Sequence, residues 1–118
     1  MATYTKQKLS ASTDGLPIKV AATTLAGADT IHTAVAGTTD FDEIWIWAVN
    51  NSSSAIKLTL CWGGLTDVDH TIEYTVAAEE GLKCVIPGLL LQNAKAVRAF
   101  AATANVITIS GFVNRITA

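Results

Sequence analysis

Two histidines, His32 and His70, are the only imidazoles in the chain, and the acids near them define the chemistry its sequence could support. Asp67, Asp69 and His70 lie close enough along the chain to gather oxygen and nitrogen donors around a metal ion. That set is short of ligands. A calcium loop draws on more oxygens, and a structural zinc site needs four converging groups. An acidic surface turn is the simpler reading, so neither a metal nor a cofactor is expected. His32 falls in a stretch with strand alternation, where a half-exposed side chain is expected. Asp40, Asp42, Asp67 or Asp69 could stand behind either histidine in a Ser-His-Asp arrangement, but no nucleophile-elbow pattern presents a serine. Glu79 and Glu80 diverge on a strand and do not face each other on a helix, which weakens two-carboxylate catalysis. Gly63-Gly64 lacks the Lys-Ser/Thr of a phosphate-binding loop. No catalytic residue is assigned, and the chain reads as non-enzymatic.

The most informative side chains are Trp45, Trp47 and Trp62. Indoles bury much area and keep one donor, so they serve equally as core, as anchors of a protein interface, or as stacking surfaces for sugar rings. Sparse charge favours the interface. Only 15% of residues are Asp, Glu, Lys or Arg, against roughly 25% in an ordinary domain. Such a surface is suited to burial in an assembly. Trp45, Trp47 and Trp62 are therefore the candidate interface residues, and a homo-oligomer is the expected state. A carbohydrate-binding module is the alternative, and it requires an exposed, roughly coplanar aromatic platform.

The elements that must position these rings are strands. In the segment 42–50, Ile44, Ile46 and Ala48 point one way and Trp45, Trp47 and Val49 the other, so both faces are apolar. Such a strand is central, with its second face covered by another layer, a loop or a neighbouring subunit. Asn50 to Ser54 reads as a turn, and Ile56, Leu58, Leu60 and Trp62 then alternate with Lys57, Thr59 and Cys61. The two stretches read as an antiparallel hairpin.

Shorter alternating stretches fill the rest. Pro17 to Val20 suits an edge strand, with Pro17 at its start. Residues 30–35 carry Ile31, Thr33 and Val35 on one side, and residues 70–76 carry Ile72, Tyr74 and Val76. Residues 82–86 form a strand that ends at the strong turn signal Pro87-Gly88. Residues 94–102 are ambiguous: Ala and Lys favour a helix, while Val97, Ala99 and Ala101 alternate with Arg98 and Phe100. We read a strand, paired through a turn at Ala104-Asn105 with a last strand over 106–113; a short helix is the rival. Seven or eight short strands predict an all-β, antiparallel β-sandwich, jelly-roll-like in spacing, with an immunoglobulin-like or simpler sandwich left open because pattern alone does not give strand order. Residues 1–16 read as a flexible N-terminal arm and 17–118 as the sandwich domain.

The formal net charge is −2, with no basic stripe to match a phosphate backbone, so direct nucleic-acid recognition is not expected. No apolar run approaches the roughly 20 residues of a membrane span. No signal-peptide core follows Lys6 and Lys8, which predicts cytoplasmic synthesis. Cys61 and Cys84 are expected to be buried free thiols. The Asn-x-Ser patterns at Asn50 and Asn51 are read as turn residues.

Four stretches, Thr30-Ile-His-Thr-Ala-Val35, Ile44-Trp-Ile-Trp-Ala-Val-Asn-Asn51, Ala55-Ile-Lys-Leu-Thr-Leu60 and Val106-Ile-Thr-Ile-Ser-Gly-Phe112, together resemble the small β-sandwich virion proteins of tailed bacteriophages. That group includes capsid decoration proteins and head or tail accessory proteins. The resemblance spans roughly 29–113 and transfers no catalytic residue. It implies a virion component made in the host cytoplasm that binds the major capsid protein or another virion protein, with a homotrimer among the assemblies it suggests. A tail or neck component is the nearest variant of that expectation.

Overall fold

The computed structural model describes residues 2–118 and folds them into nine strands in two sheets. In chain order they are β1 (Thr3–Lys8), β2 (Ile18–Val20), β3 (Asp29–Thr33), β4 (Phe41–Asn50), β5 (Ile56–Trp62), β6 (Thr71–Val76), β7 (Lys83–Leu91), β8 (Ala96–Ala101) and β9 (Ile107–Thr117). One sheet has the order β1-β9-β4-β7, with β2 also paired to β9; the other has the order β3-β8-β5-β6. Every pairing is antiparallel. With the short β2 set aside, the chain alternates between the sheets at every connection except β5 to β6. The result is a sandwich with jelly-roll connectivity. Among the described residues no helix is long and apolar enough to cross a membrane.

Period-two alternation explains the core. Ile44, Ile46 and Ala48 of β4 face inward beside Ile107, Ile109 and Val113 of β9, and all are fully buried. Leu58 and Leu60 of β5 meet them from the other sheet, paired in register with Ala101 and Ala99 of β8. Large side chains on one strand beside small ones on its neighbour let the two layers interdigitate. Residues 94–102 thus resolve as strand, with Val97, Ala99 and Ala101 inward as the alternation requires.

Four readings of the sequence change. Residues 42–62 do not form a hairpin: β4 pairs with β7 and β9, while β5 pairs with β6 and β8 in the opposite sheet. The connection is an arch held by Asn50, whose buried side chain donates to the carbonyls of Ser54, Val76 and Ala77 and accepts from the Ser52 amide. The same holds for the turn at Ala104-Asn105, which carries the chain from β8 across to β9 in the other sheet.

Pro87-Gly88 does not end a strand. β7 runs through it as the edge of its sheet, where a residue without an N–H is tolerated, and the ladder to β4 shifts register between Ile44 and Trp45 and again between Ile46 and Trp47.

Finally, the arm expected over residues 1–16 is tied down where it is described. Thr3–Lys8 pairs residue by residue with Phe112–Thr117, and Leu9 is buried in the core cluster. The polar composition of β1 suits a strand whose side chains face solvent, so period alone could not reveal it.

Candidate functional site

β4 places Trp45 and Trp47 two residues apart on the outer face of its sheet, and the β9 register puts Phe112 directly opposite Trp45. The three half-buried rings form a compact triangle. Ring centroids lie 6.2 Å apart for Trp45–Trp47, 6.1 Å for Trp45–Phe112 and 5.8 Å for Trp47–Phe112, with interplanar angles of 19°, 14° and 28°. Near-parallel rings at these separations are in the favourable range for aromatic pairs. Gly88 of β7 makes room for the cluster: a Cβ there would lie 3.0 Å from Cζ2 of Trp45.

Polar groups fix the rim. Glu43 and Asn114 face each other across the ladder, and Oε1 of Glu43 accepts from Asn114 Nδ2 and from Trp45 Nε1, both at 2.9 Å. Those two donors hold the Glu43 carboxyl below the ordinary glutamate range, so it presents a negative charge beside the indole. On the other flank Lys6 of β1 places its ammonium 4.6 Å from the Phe112 centroid. This cation–π contact, worth about 0.5–1 kcal/mol at an exposed site, links the β1 edge to the ring cluster. The face therefore carries an aromatic centre with the Glu43 carboxylate and the Lys6 ammonium at its border.

Trp62 does not join it. It lies on β5 in the opposite sheet, packs against the core cluster, and donates from Nε1 to the Leu90 carbonyl at 3.3 Å. Its bond bridges the two sheets. Phe112, Lys6, Glu43 and Asn114 were not singled out from the sequence. The outward parity of Phe112 could have been read from the alternation in residues 107–113, but its position beside Trp45 depends on the β4–β9 register.

The histidines do structural work within this chain. His32, expected to be half-exposed, is buried between the sheets. A register shift between Thr30 and His32 turns it inward. Its Nδ1 accepts the Ser10 amide at 3.0 Å, which leaves Nε2 as the donor to Asp42 Oδ2 at 2.8 Å. Asp42 is indeed the acid behind His32. The third member is a backbone amide, because the Ser10 hydroxyl accepts from the Thr33 amide instead. With both ring nitrogens engaged, this arrangement leaves none to activate a nucleophile. Asp42 also receives Arg115 through Nε at 2.8 Å and Nη2 at 3.0 Å, and the Val35 amide at 3.2 Å. Burial alone would raise its pKa, but the bonds from Arg115 and His32 outweigh that and hold it below the ordinary value.

The Asp67–His70 loop is likewise closed on itself. Asp67 accepts from the Val68 amide and the Thr71 hydroxyl, and His70 Nδ1 accepts from the Thr66 amide. Among the described residues no group of three or more His, Cys, Asp or Glu side chains is placed to hold a metal ion. Both cysteines are free thiols, but only Cys61, in β5, is buried as expected; Cys84 is exposed instead, because it lies on the edge strand β7 opposite Trp47. No family model matches the chain, and neither a curated protein nor a solved structure is significantly similar to it.

Proposed function

We propose that the chain is a non-enzymatic structural protein of a virus particle, a capsid decoration protein that stabilises the head through subunit contacts. The observation that carries the assembly part of this reading is the triangle of Trp45, Trp47 and Phe112. A half-buried aromatic centre with a polar rim has the composition of a protein interface core, where aromatic anchors supply most of the binding free energy. Burial of that face against a neighbouring virion subunit would raise the free energy of shell disruption by binding linkage. The virion setting is supported by the sequence resemblance, which also leaves room for a tail or neck position.

Light scattering on the wild-type chain and on Trp45→Ala/Trp47→Ala tests the reading. A wild-type trimer near three times the 12.4 kDa chain mass, lost in the double variant while its β-sheet circular dichroism persists, supports the aromatic face as the contact. An unchanged oligomer in the variant removes that support.

A second reading draws on the same rings. Their near-parallel planes beside Glu43 and Asn114 also suit stacking on a sugar with hydrogen bonds from the rim. This reading takes precedence if the wild-type chain is monomeric and a glycan array gives binding that Trp45→Ala/Trp47→Ala abolishes.

A further inference from the structure

The two ends of the sandwich carry complementary chemistry. At the end where β4 begins, Gly63, Gly64, Lys95 and Arg98 line a cavity of about 380 Å³. Neither cation is in an ion pair among the described residues. Gly63 and Gly64 add no side chain of their own, and the His70 ring packs against Gly64. Beside this cavity, Phe41, Leu90 and Leu91 line an apolar one of about 420 Å³. The two adjoin, since Leu91–Gln92 borders one and Ala94–Lys95 the other, and a Cβ on Gly63 would lie 3.4 Å from Leu91 Cδ1.

At the opposite end the β6–β7 connection presents Glu79, Glu80, Gly81 and Leu82. Leu82 is 69% exposed, a large apolar side chain with nothing of its own chain to cover it. Neither glutamate is ion-paired among the described residues. The tip is held in place by backbone bonds from the Glu79 amide to the Ser52 carbonyl at 2.9 Å and from the Asn50 amide to the Glu80 carbonyl at 3.0 Å. A segment already ordered loses less entropy on binding.

We infer that the Glu79–Leu82 tip of one copy docks into the paired cavities of a second copy, carboxylates on Lys95 and Arg98 and Leu82 in the apolar recess. The tip cannot reach the cavities of its own chain. β4 runs from Phe41 beside the cavities to Asn50 beside the tip, a separation of about 30 Å at roughly 3.3 Å per residue. The contact joins different surfaces of two copies, so it closes as a reciprocal two-fold pair or a larger ring, or continues as a filament, according to the rotation between copies. Arg98 suits a carboxylate because its planar guanidinium can engage both oxygens. Exposed charges set register and orientation more than affinity, so Leu82 supplies most of the holding contact. This inference rests on the proposed role in assembly, and it adds an end-to-end contact distinct from the aromatic face.

Sedimentation velocity separates the two. The samples are wild type, Glu79→Lys/Glu80→Lys, Lys95→Glu/Arg98→Glu, an equimolar mixture of those two variants, Leu82→Ser, and Trp45→Ala/Trp47→Ala. The expected result is a wild type that assembles beyond the oligomer held by the aromatic face, charge variants reduced to that oligomer, and the larger assembly restored in the mixture, where every tip meets an oppositely charged cavity. Restoration also shows that both variants are folded. Leu82→Ser weakens association by about ten-fold or more. A wild type that stays at single-chain mass at the highest attainable concentration overturns the inference, as do charge variants that associate like wild type. Loss of association in the tryptophan variant alone overturns it while leaving the aromatic face as the contact. Loss in the charge and Leu82 variants alone supports the end-to-end contact and removes the aromatic face as a contact between copies.

Discussion

Asp42 stands directly opposite Arg115 in the β4–β9 ladder, and its carboxylate takes both Nε and Nη2 of that guanidinium while reaching across the sandwich to His32. One side chain thus joins two strands of the first sheet to β3 of the second. The Ser10 amide on His32 adds the β1–β2 connection to the same clip. All of this lies at the end of the sandwich where the cationic and apolar cavities open, so the clip sets the geometry of that end.

Asp42→Ala is expected to destabilise the fold by about 3–5 kcal/mol, the range for removing one partner of a buried charge pair. The loss comes from Arg115 and His32 left without their acceptor as well as from the missing bonds. Urea unfolding of the two proteins measures it. A change under about 1 kcal/mol would show that the clip is dispensable, as exposed ion pairs are.

Acid should act through the same carboxylate. Burial pushes the Asp42 pKa up, and the bonds from Arg115 and His32 more than reverse that, so its folded value lies below the ordinary 3.8. A depressed carboxylate contributes stability that is fully present above its unfolded pKa and is lost as pH falls through the folded one. Urea midpoints should therefore hold above the ordinary aspartate value and decline below it. Asp42→Asn should flatten this decline. An Asn variant with the same acid dependence as wild type would assign the effect to other carboxylates.

The pattern of residues disclosed faces more readily than neighbours. Alternation in β5 and β8 showed which side chains point inward, because one side of each strand must be apolar, whereas in β4 both sides are apolar and alternation separated the two faces without marking the core one. It could not show that β4 and β5 belong to different sheets, since five polar residues serve an arch as well as a hairpin. Pro87-Gly88 misled for a related reason: turn residues also mark bulges on an edge strand. The aromatic site was half legible. Trp45 and Trp47 share a face by parity alone, whereas Phe112 enters only through the β4–β9 register, and Trp62 leaves because its strand lies in the other sheet.

Gly111 is the residue that keeps β4 and β9 in contact below the rings. A Cβ there would overlap the carbonyl oxygen of Trp45, a backbone atom that cannot swing aside. Gly111→Ala should cost about 3 kcal/mol or more by forcing the central pair apart. Trp45 fluorescence should shift with it, because the indole rides on the displaced backbone. Wild-type thermal stability in this variant would contradict the close approach.

The two thiols should behave differently toward a disulfide reagent. Burial pushes the Cys61 thiol up, against a smaller opposing effect from Arg98, whereas Cys84 is exposed. The thiolate is the reactive form, so burial and a raised pKa both protect Cys61. Native protein should show one fast equivalent per chain, absent in Cys84→Ser, with the second appearing only on denaturation. Two fast equivalents would place Cys61 in contact with solvent.

Asn50 decides whether β4 ends in an arch, and its amide group offers a clean test. Its Nδ2 donates to the carbonyls of Ser54, Val76 and Ala77, and Oδ1 accepts from the Ser52 amide. Asn50→Asp keeps the shape but replaces the donor with an oxygen aimed at those carbonyls in a fully buried position. The expected cost is about 3 kcal/mol or more, from unpaired acceptors and a buried carboxylate. Asn50→Ala loses the bonds without adding charge and should cost less, about 2 kcal/mol. Asn51→Asp, on the exposed neighbour, is the control and should fall within about 0.5 kcal/mol of wild type. If Asn50→Asp and Asn51→Asp unfold at the same denaturant concentration, the side chain does not hold the arch, and the crossing between sheets must be fixed by the β5–β6 and β4–β9 ladders alone.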